Sequence, residues 1–121
     1  MHALIVEDDD ALQEFYETML ERSGFVVDRA DSAPEAIAYL EHTNPFPSLV
    51  MLDIRMPGGL GFMVLDYIQQ HPYGQATHVA VVTAGTEFES TVRNYPFASF
   101  HLKPILPAKI TEIAQLVQQR Q

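Results

Sequence analysis

Four groups of residues in this chain have the types and placement to do chemistry together. Glu7, Asp8 and Asp9 follow the apolar run "ALIV", and Asp53 ends a second run, "LVML". Thr83 ends "HVAVV", and Lys103 follows "ASFHL" and precedes Pro104. A lone acidic run before a helix is ordinary, because carboxylates accept helix N-terminal N–H groups and oppose the dipole. That accounts for Asp9 or Asp10 but not for Asp53, which sits on another segment. If Glu7, Asp8 and Asp53 are neighbours, each like-charged pair at ~4 Å costs about 4 kcal/mol at an effective dielectric of ~20. A hard divalent cation would offset that cost, and an oxygen-only donor set suits Mg2+ or Mn2+ rather than zinc. The Lys103 ammonium can pair with Asp53 or with an anion placed on it. The Thr83 hydroxyl is a donor aimed at the same place, and small Ala84 and Gly85 leave room for a phosphoryl group.

These residues meet only if the chain positions them so. Short apolar runs at 3–6, 47–53, 78–83 and 98–102, with "FVVDRA" at 25–30, read as five strands. Between them lie helical stretches. In "DALQEFYETMLERSGF" the expected buried stripe is Leu12, Phe15, Met19 and Leu20, with Gly24 as the stop. Ser32 and Glu35 have capping-box spacing before a stripe of Ala36, Ile37 and Leu40. "GFMVLDYIQQH" (61–71) predicts a third helix, and Leu106, Ile110, Ile113 and Val117 an amphipathic last one. The segment 84–97 has few periodic apolar residues and Pro96, so it predicts a short, irregular fourth helix. Alternating strands and helices imply parallel strands with right-handed crossovers. Continuous apolar runs fit strands covered on both faces. The expected fold is α/β: a doubly wound five-stranded parallel sheet with flanking helices. Ligands bind such sheets at the carboxyl ends of the strands, where all four groups fall.

Composition narrows the partners. The chain has 121 residues and no cysteine, which fits one domain without disulfides or thiolate metal sites. Its formal charge of −9 repels nucleic acid, so direct DNA binding is not expected. "MHALIVEDDD" has no basic, apolar leader pattern and no run is long enough to cross a bilayer, so the expectation is a cytoplasmic protein without membrane contact. His2, His42, His71, His78 and His101 are scattered and read as surface or strand-end residues rather than a metal set.

Taken in order, "LIVEDD", "LVMLDIRMPGGLG", "VVTAG" and "FHLKP" resemble the receiver domain of two-component response regulators. Each motif is weak alone. Their joint order, with Asp53 and Thr83 standing 30 residues apart, is specific. The resemblance implies a flavodoxin-like receiver fold with strand order 2-1-3-4-5, and a single receiver domain over 1–121 with no output domain in this chain, either stand-alone or excised from a larger protein. It implies that Asp53 is the phosphoacceptor, taking a phosphoryl group from a histidine kinase or histidine phosphotransfer protein. Glu7, Asp8, Asp53 and the main-chain carbonyl of Arg55 would hold Mg2+ (or Mn2+). Thr83 and Lys103 would bind the phosphoryl oxygens, and Thr83 with Phe100 would form the switch that reshapes a protein-interaction face. The chain would be a self-phosphorylating signalling domain rather than an enzyme. Its downstream partner is not specified, and self-association into a homodimer stays open.

Three departures stand out. Arg55 is a cation beside the proposed site, with the options of a solvated residue, a partner for Glu7, or a group that alters attack by water. Gly85 offers no side chain to orient a hydrolytic water, so autodephosphorylation is expected to be slow. Thr83 and Lys103 are only 20 residues apart, which shortens the fourth helix region. Alternatives are a degenerate receiver acting only as a protein-interaction module, and an aspartate-nucleophile phosphatase or phosphotransferase. Phosphohydrolases of the haloacid dehalogenase type place a second acid where this chain has Arg55. A flavodoxin-like cofactor binder would want a phosphate-cradling loop after the first strand, the electrostatic opposite of "EDDD". Asp53 is expected to reach the strand's end without being a buried charge, and "MPGG" to shape the loop beyond it.

Overall fold

In the computed structural model, which describes residues 1–56 and 61–120, strands and helices alternate along the chain. They are β1 His2–Val6, α1 Asp10–Arg22, β2 Val26–Ala30, α2 Ala33–His42, β3 Leu49–Leu52, α3 Gly61–Gln70, β4 His78–Thr83, α4 Glu89–Val92, β5 Ala98–Leu102 and α5 Pro107–Gln119. A 3-10 turn at Gly74–Ala76 precedes β4. All strand pairs are parallel and the order is β2-β1-β3-β4-β5, as expected. The proposed "MPGG" turn runs into residues 57–60, outside the described residues.

Burial explains which runs were legible. Every residue of β3 and β4 is buried, because helices cover both faces of the sheet's centre. One face packs Leu4, Val6, Val50, Leu52, Val79 and Val81 against residues of α2 and α3. The other packs Ala3, Ile5, Leu49, Met51, Ala80 and Val82 against residues of α1 and α5. Burying one such aliphatic side chain contributes roughly 1.5–3 kcal/mol. The edge strand β2 is mostly exposed and carries Asp28 and Arg29, which pair with Tyr39 and Glu17.

The helices obey local chemistry at their ends. Asp9 caps α1, its Oδ1 accepting from the Leu12 amide at 2.9 Å, and Ser32 caps α2 through the Glu35 amide at 3.3 Å. Past α1, Gly24 turns the chain at φ +97°, as its place after the apolar run predicts. The α1 stripe needs correction. Its buried residues are Gln13, Tyr16 and Leu20, while Leu12, Phe15 and Met19 are only partly covered. Tertiary hydrogen bonding turns the helix: Gln13 Nε2 donates to the Glu7 carbonyl and to Asp31 Oδ1. Leu106 is also not in the core. It is the N-cap of α5 and 67% exposed, while Ala114 completes the buried stripe. The helix in 84–97 shrinks to four residues, and it has no side-chain cap.

Candidate functional site

Three site residues are each held by one more ladder hydrogen bond beyond their strand. The Glu7 amide donates to the Ala30 carbonyl (3.1 Å), Asp53 to Val6 (3.0 Å) and Lys103 to Thr83 (2.9 Å). The sheet itself therefore fixes their backbones at its carboxyl edge.

Glu7, Asp8 and Asp53 converge there, each offering a carboxylate oxygen within 4.8 Å of the others. Asp8 is exposed, but Glu7 and Asp53 are 1% and 5% exposed. The expectation that Asp53 escapes burial is thus overturned. Helices on both faces enclose the strand end, and the charge is tolerated because it is paired. Lys103 Nζ lies 2.9 Å from Asp53 Oδ2 and 2.8 Å from Glu7 Oε1, bridging the two buried carboxylates. Asp53 Oδ1 accepts the Arg55 amide at 2.9 Å, and Glu7 Oε2 the Asp9 amide at 3.2 Å. Burial raises the Glu7 carboxyl above the usual range, against the pull of Lys103 and the Asp9 amide. Burial pushes Lys103 down, but the bonds to Glu7 and Asp53 outweigh it and hold the ammonium above the usual lysine range.

Thr83 Oγ1 is fully buried and has no hydrogen-bond partner among the described residues. An unmade hydroxyl bond of this kind costs about 1–3 kcal/mol, so the site carries a donor in want of an acceptor. Phe100 pairs in register with Val81 on β4 and is half-buried against the core face that holds Val79 and Val81. Arg55 does not pair with Glu7, because Lys103 takes that position. Its guanidinium instead crosses to the β4–α4 loop, donating to the Ala84 carbonyl at 2.6 Å and pairing with Glu87 Oε1 at 2.6 Å. Gly85 lies in that loop at φ +120°.

Sequence reasoning passed over Gln13, Tyr16 and Glu87. A glutamine and a tyrosine three apart on a helix were visible as polar atoms on a core stripe. The Tyr16 hydroxyl is buried without a hydrogen-bond partner among the described residues, and burial pushes it up to about 12. Glu87 left no signal, since nothing in its spacing points to Arg55. The histidines are also less scattered than they read. His78 is 6% exposed and Nε2 of both His78 (2.9 Å) and His101 (2.8 Å) meets Ser99 Oγ. His71 stacks on Phe46 with ring centroids 4.2 Å apart.

A parallel sheet in this order, with an acidic triad at its carboxyl edge, an adjacent lysine and a buried hydroxyl, defines an α/β domain of receiver type. The model of the response regulator receiver domain matches residues 3–115, and the chain belongs to that family. It is 28% identical over 119 residues to the phosphate regulon transcriptional regulatory protein PhoB of Escherichia coli, covering 97% of this chain and 51% of PhoB. The chain therefore spans about half the length of that relative. Among solved structures it resembles the CheY-like receiver domain protein of Methanospirillum hungatei, with TM-score 0.77 and 28% identity over 99% of this chain and 98% of that one. The receiver domain of sensor histidine kinase PA1611 from Pseudomonas aeruginosa, solved with magnesium in its active-site cleft, shares the fold at TM-score 0.81 and 21% identity, covering 95% of this chain and 94% of that one. The chain is thus a signalling module of two-component type, and its acidic triad is able to hold a metal ion. No helix among the described residues is long and apolar enough to cross a membrane.

Proposed function

We propose that residues 1–121 work as one receiver unit in which Asp53 accepts a phosphoryl group from the phosphohistidine of a histidine kinase or phosphotransfer protein. The observation that carries this is the Asp53 carboxylate, buried at a strand end between Lys103 and the Glu7–Asp8 pair. An Asp53 oxygen attacks phosphorus, the new O–P bond forms, and the histidine N–P bond breaks with its electron pair returning to the imidazole. Lys103 and Thr83 bind the transferred oxygens, Thr83 gaining the acceptor its hydroxyl lacks. Glu7, Asp8, Asp53 and the Arg55 carbonyl would hold Mg2+ (or Mn2+), which neutralises developing phosphoryl charge. The oxygen-only donors and the paired buried carboxylates fit that ion.

Phosphorylation adds roughly −1.5 to −2 of charge. Thr83 then moves toward the phosphoryl group, Phe100 follows into the space it leaves, and the surface around α4 and β5 changes for a downstream protein partner. Arg55 and Gly85 modulate the lifetime of the acyl phosphate, which is long because Gly85 presents no group to a hydrolytic water.

Incubation with acetyl phosphate and Mg2+, read by intact mass, tests this. One phosphoryl adduct is expected, and none in Asp53→Asn. No adduct with Mg2+ measurably bound would leave only a protein-interaction module. Steady turnover of a soluble phosphoester would instead make the chain a phosphatase.

A further inference from the structure

The side chain of Arg55 starts beside the phosphoacceptor but ends elsewhere. Its amide donates to Asp53 Oδ1, while its guanidinium is drawn across the mouth of the site to Ala84 and Glu87. Ala84 directly follows Thr83, so the tether grips the loop that begins at the switch hydroxyl. The backbone makes the tether possible. Gly85 sits at φ +120°, and a Cβ there would lie 2.5 Å from Glu87 Oε2 and 3.4 Å from Arg55 Nη1. Only glycine lets the chain reverse and bring Glu87 back over Arg55.

The strength of the pair decides what it can do. The Arg55 and Glu87 side chains are 51% and 44% exposed, so their attraction is screened and weak. A phosphoryl group on Asp53 carries more charge than one carboxylate and accepts a guanidinium bidentately. It arises two residues from Arg55. Given the phosphoacceptor reading above, on which this inference rests, the phosphoryl group outcompetes Glu87 for the same cation.

We propose that Glu87 is a positioning residue that holds Arg55 off Asp53 before phosphorylation and surrenders it to the acyl phosphate afterwards. The exchange frees Glu87 and the loop leading into α4. That loop has its own lever: Phe88, the residue before α4, packs edge-on against Phe62 of α3 with ring centroids 5.5 Å apart. A charge exchange at the site is thereby passed to the α4 surface alongside the Thr83 movement. Arg55 over the phosphoryl group also shields it from water.

The test is a double-mutant cycle of Glu87→Gln and Arg55→Gln, phosphorylated with acetyl phosphate and Mg2+ and followed by intact mass. Glu87→Gln is expected to raise the phosphorylation rate about 3–10-fold and to slow loss of the adduct. In the Arg55→Gln background the same Glu87 change should do neither. Equal acceleration in both backgrounds would mean simple charge repulsion of the donor and would overturn the exchange, as would no effect of Glu87→Gln in the wild-type background. A readout independent of the chemistry is the Arg55 Nε–H resonance in metal-free, unphosphorylated protein. Glu87→Gln must shift it, and so must Gly85→Ala, which expels Glu87 without removing its charge; an unmoved resonance sinks the proposal. If wild type takes no phosphoryl group at all, the phosphoacceptor reading fails and the exchange with it. If wild type is modified but the cycle is additive, only the exchange fails.

Discussion

At the residue scale, the arrangement that governs the site is one ammonium between two buried carboxylates. Lys103 contacts Glu7 and Asp53 at 2.8 and 2.9 Å and is itself 21% exposed. Removing one partner of a buried ion pair costs about 3–5 kcal/mol, because the remaining charge is stranded. Lys103→Met should therefore lower the unfolding free energy in urea at pH 7 by an amount in that range, reduced somewhat by its partial exposure. The same ammonium also competes with any cation for the triad. Mg2+ should bind Lys103→Met more tightly than wild type and restore part of the lost stability; weaker binding in calorimetry would show that Lys103 is no competitor. The residue types of this site were legible in the sequence, and so was the Lys103–Asp53 pairing. The pairing of Lys103 with Glu7, and of Arg55 with Glu87, was not, because both depend on side-chain reach across separate strand ends rather than on spacing.

At the element scale, the layer between β4, β5 and α5 holds a polar chain that the fold buries. His78, Ser99 and His101 are linked through one hydroxyl beneath α5, with Lys109 and Glu112 along the same pocket. Burial pushes His78 down to about 4, helped by Arg120 and by His101. Burial also lowers His101, with Lys109 adding and Glu112 opposing. A free histidine titrates near 6.5. Between pH 6.5 and about 4 the unfolded chain binds a proton at His78 that the native one refuses. The native advantage is whole above pH 6.5 and drains as pH falls, by about 3 kcal/mol at most. Urea midpoints at pH 7.5 and 4.5 should show a smaller acid loss in His78→Gln than in wild type. An equal loss would mean that other groups carry the dependence. Element positions were read well where both faces are buried, as in β3 and β4. They were read less well on α1, where Gln13 and Tyr16 took core places that an apolar-only stripe assigns to Leu12, Phe15 and Met19.

At the scale of the whole molecule, the charge of −9 is a field that the compact state must bear. Raising salt from about 10 mM to 0.15 M shortens the Debye length from about 30 to 8 Å, which screens exposed repulsion far more than the buried Lys103 pairs. The thermal midpoint at pH 7 should therefore rise over that range. A falling midpoint would show that surface ion pairs such as Arg29–Glu17, rather than net repulsion, dominate.

The sequence by itself determined the fold class and the polar residues that end each apolar run, while the strand order was legible only through the resemblance to receiver domains. Apolar run length and the polar residue that ends each run are local properties, and a parallel sheet converts them into one shared edge. Only the tertiary structure decided how the charges are balanced. It buried Asp53, set Lys103 between Asp53 and Glu7, left the Thr83 hydroxyl without a partner among the described residues, and sent Arg55 to Glu87. The reason is geometric: a strand end fixes where a backbone stops, whereas the partner of a long charged side chain is set by whatever the neighbouring loops bring within about 3 Å.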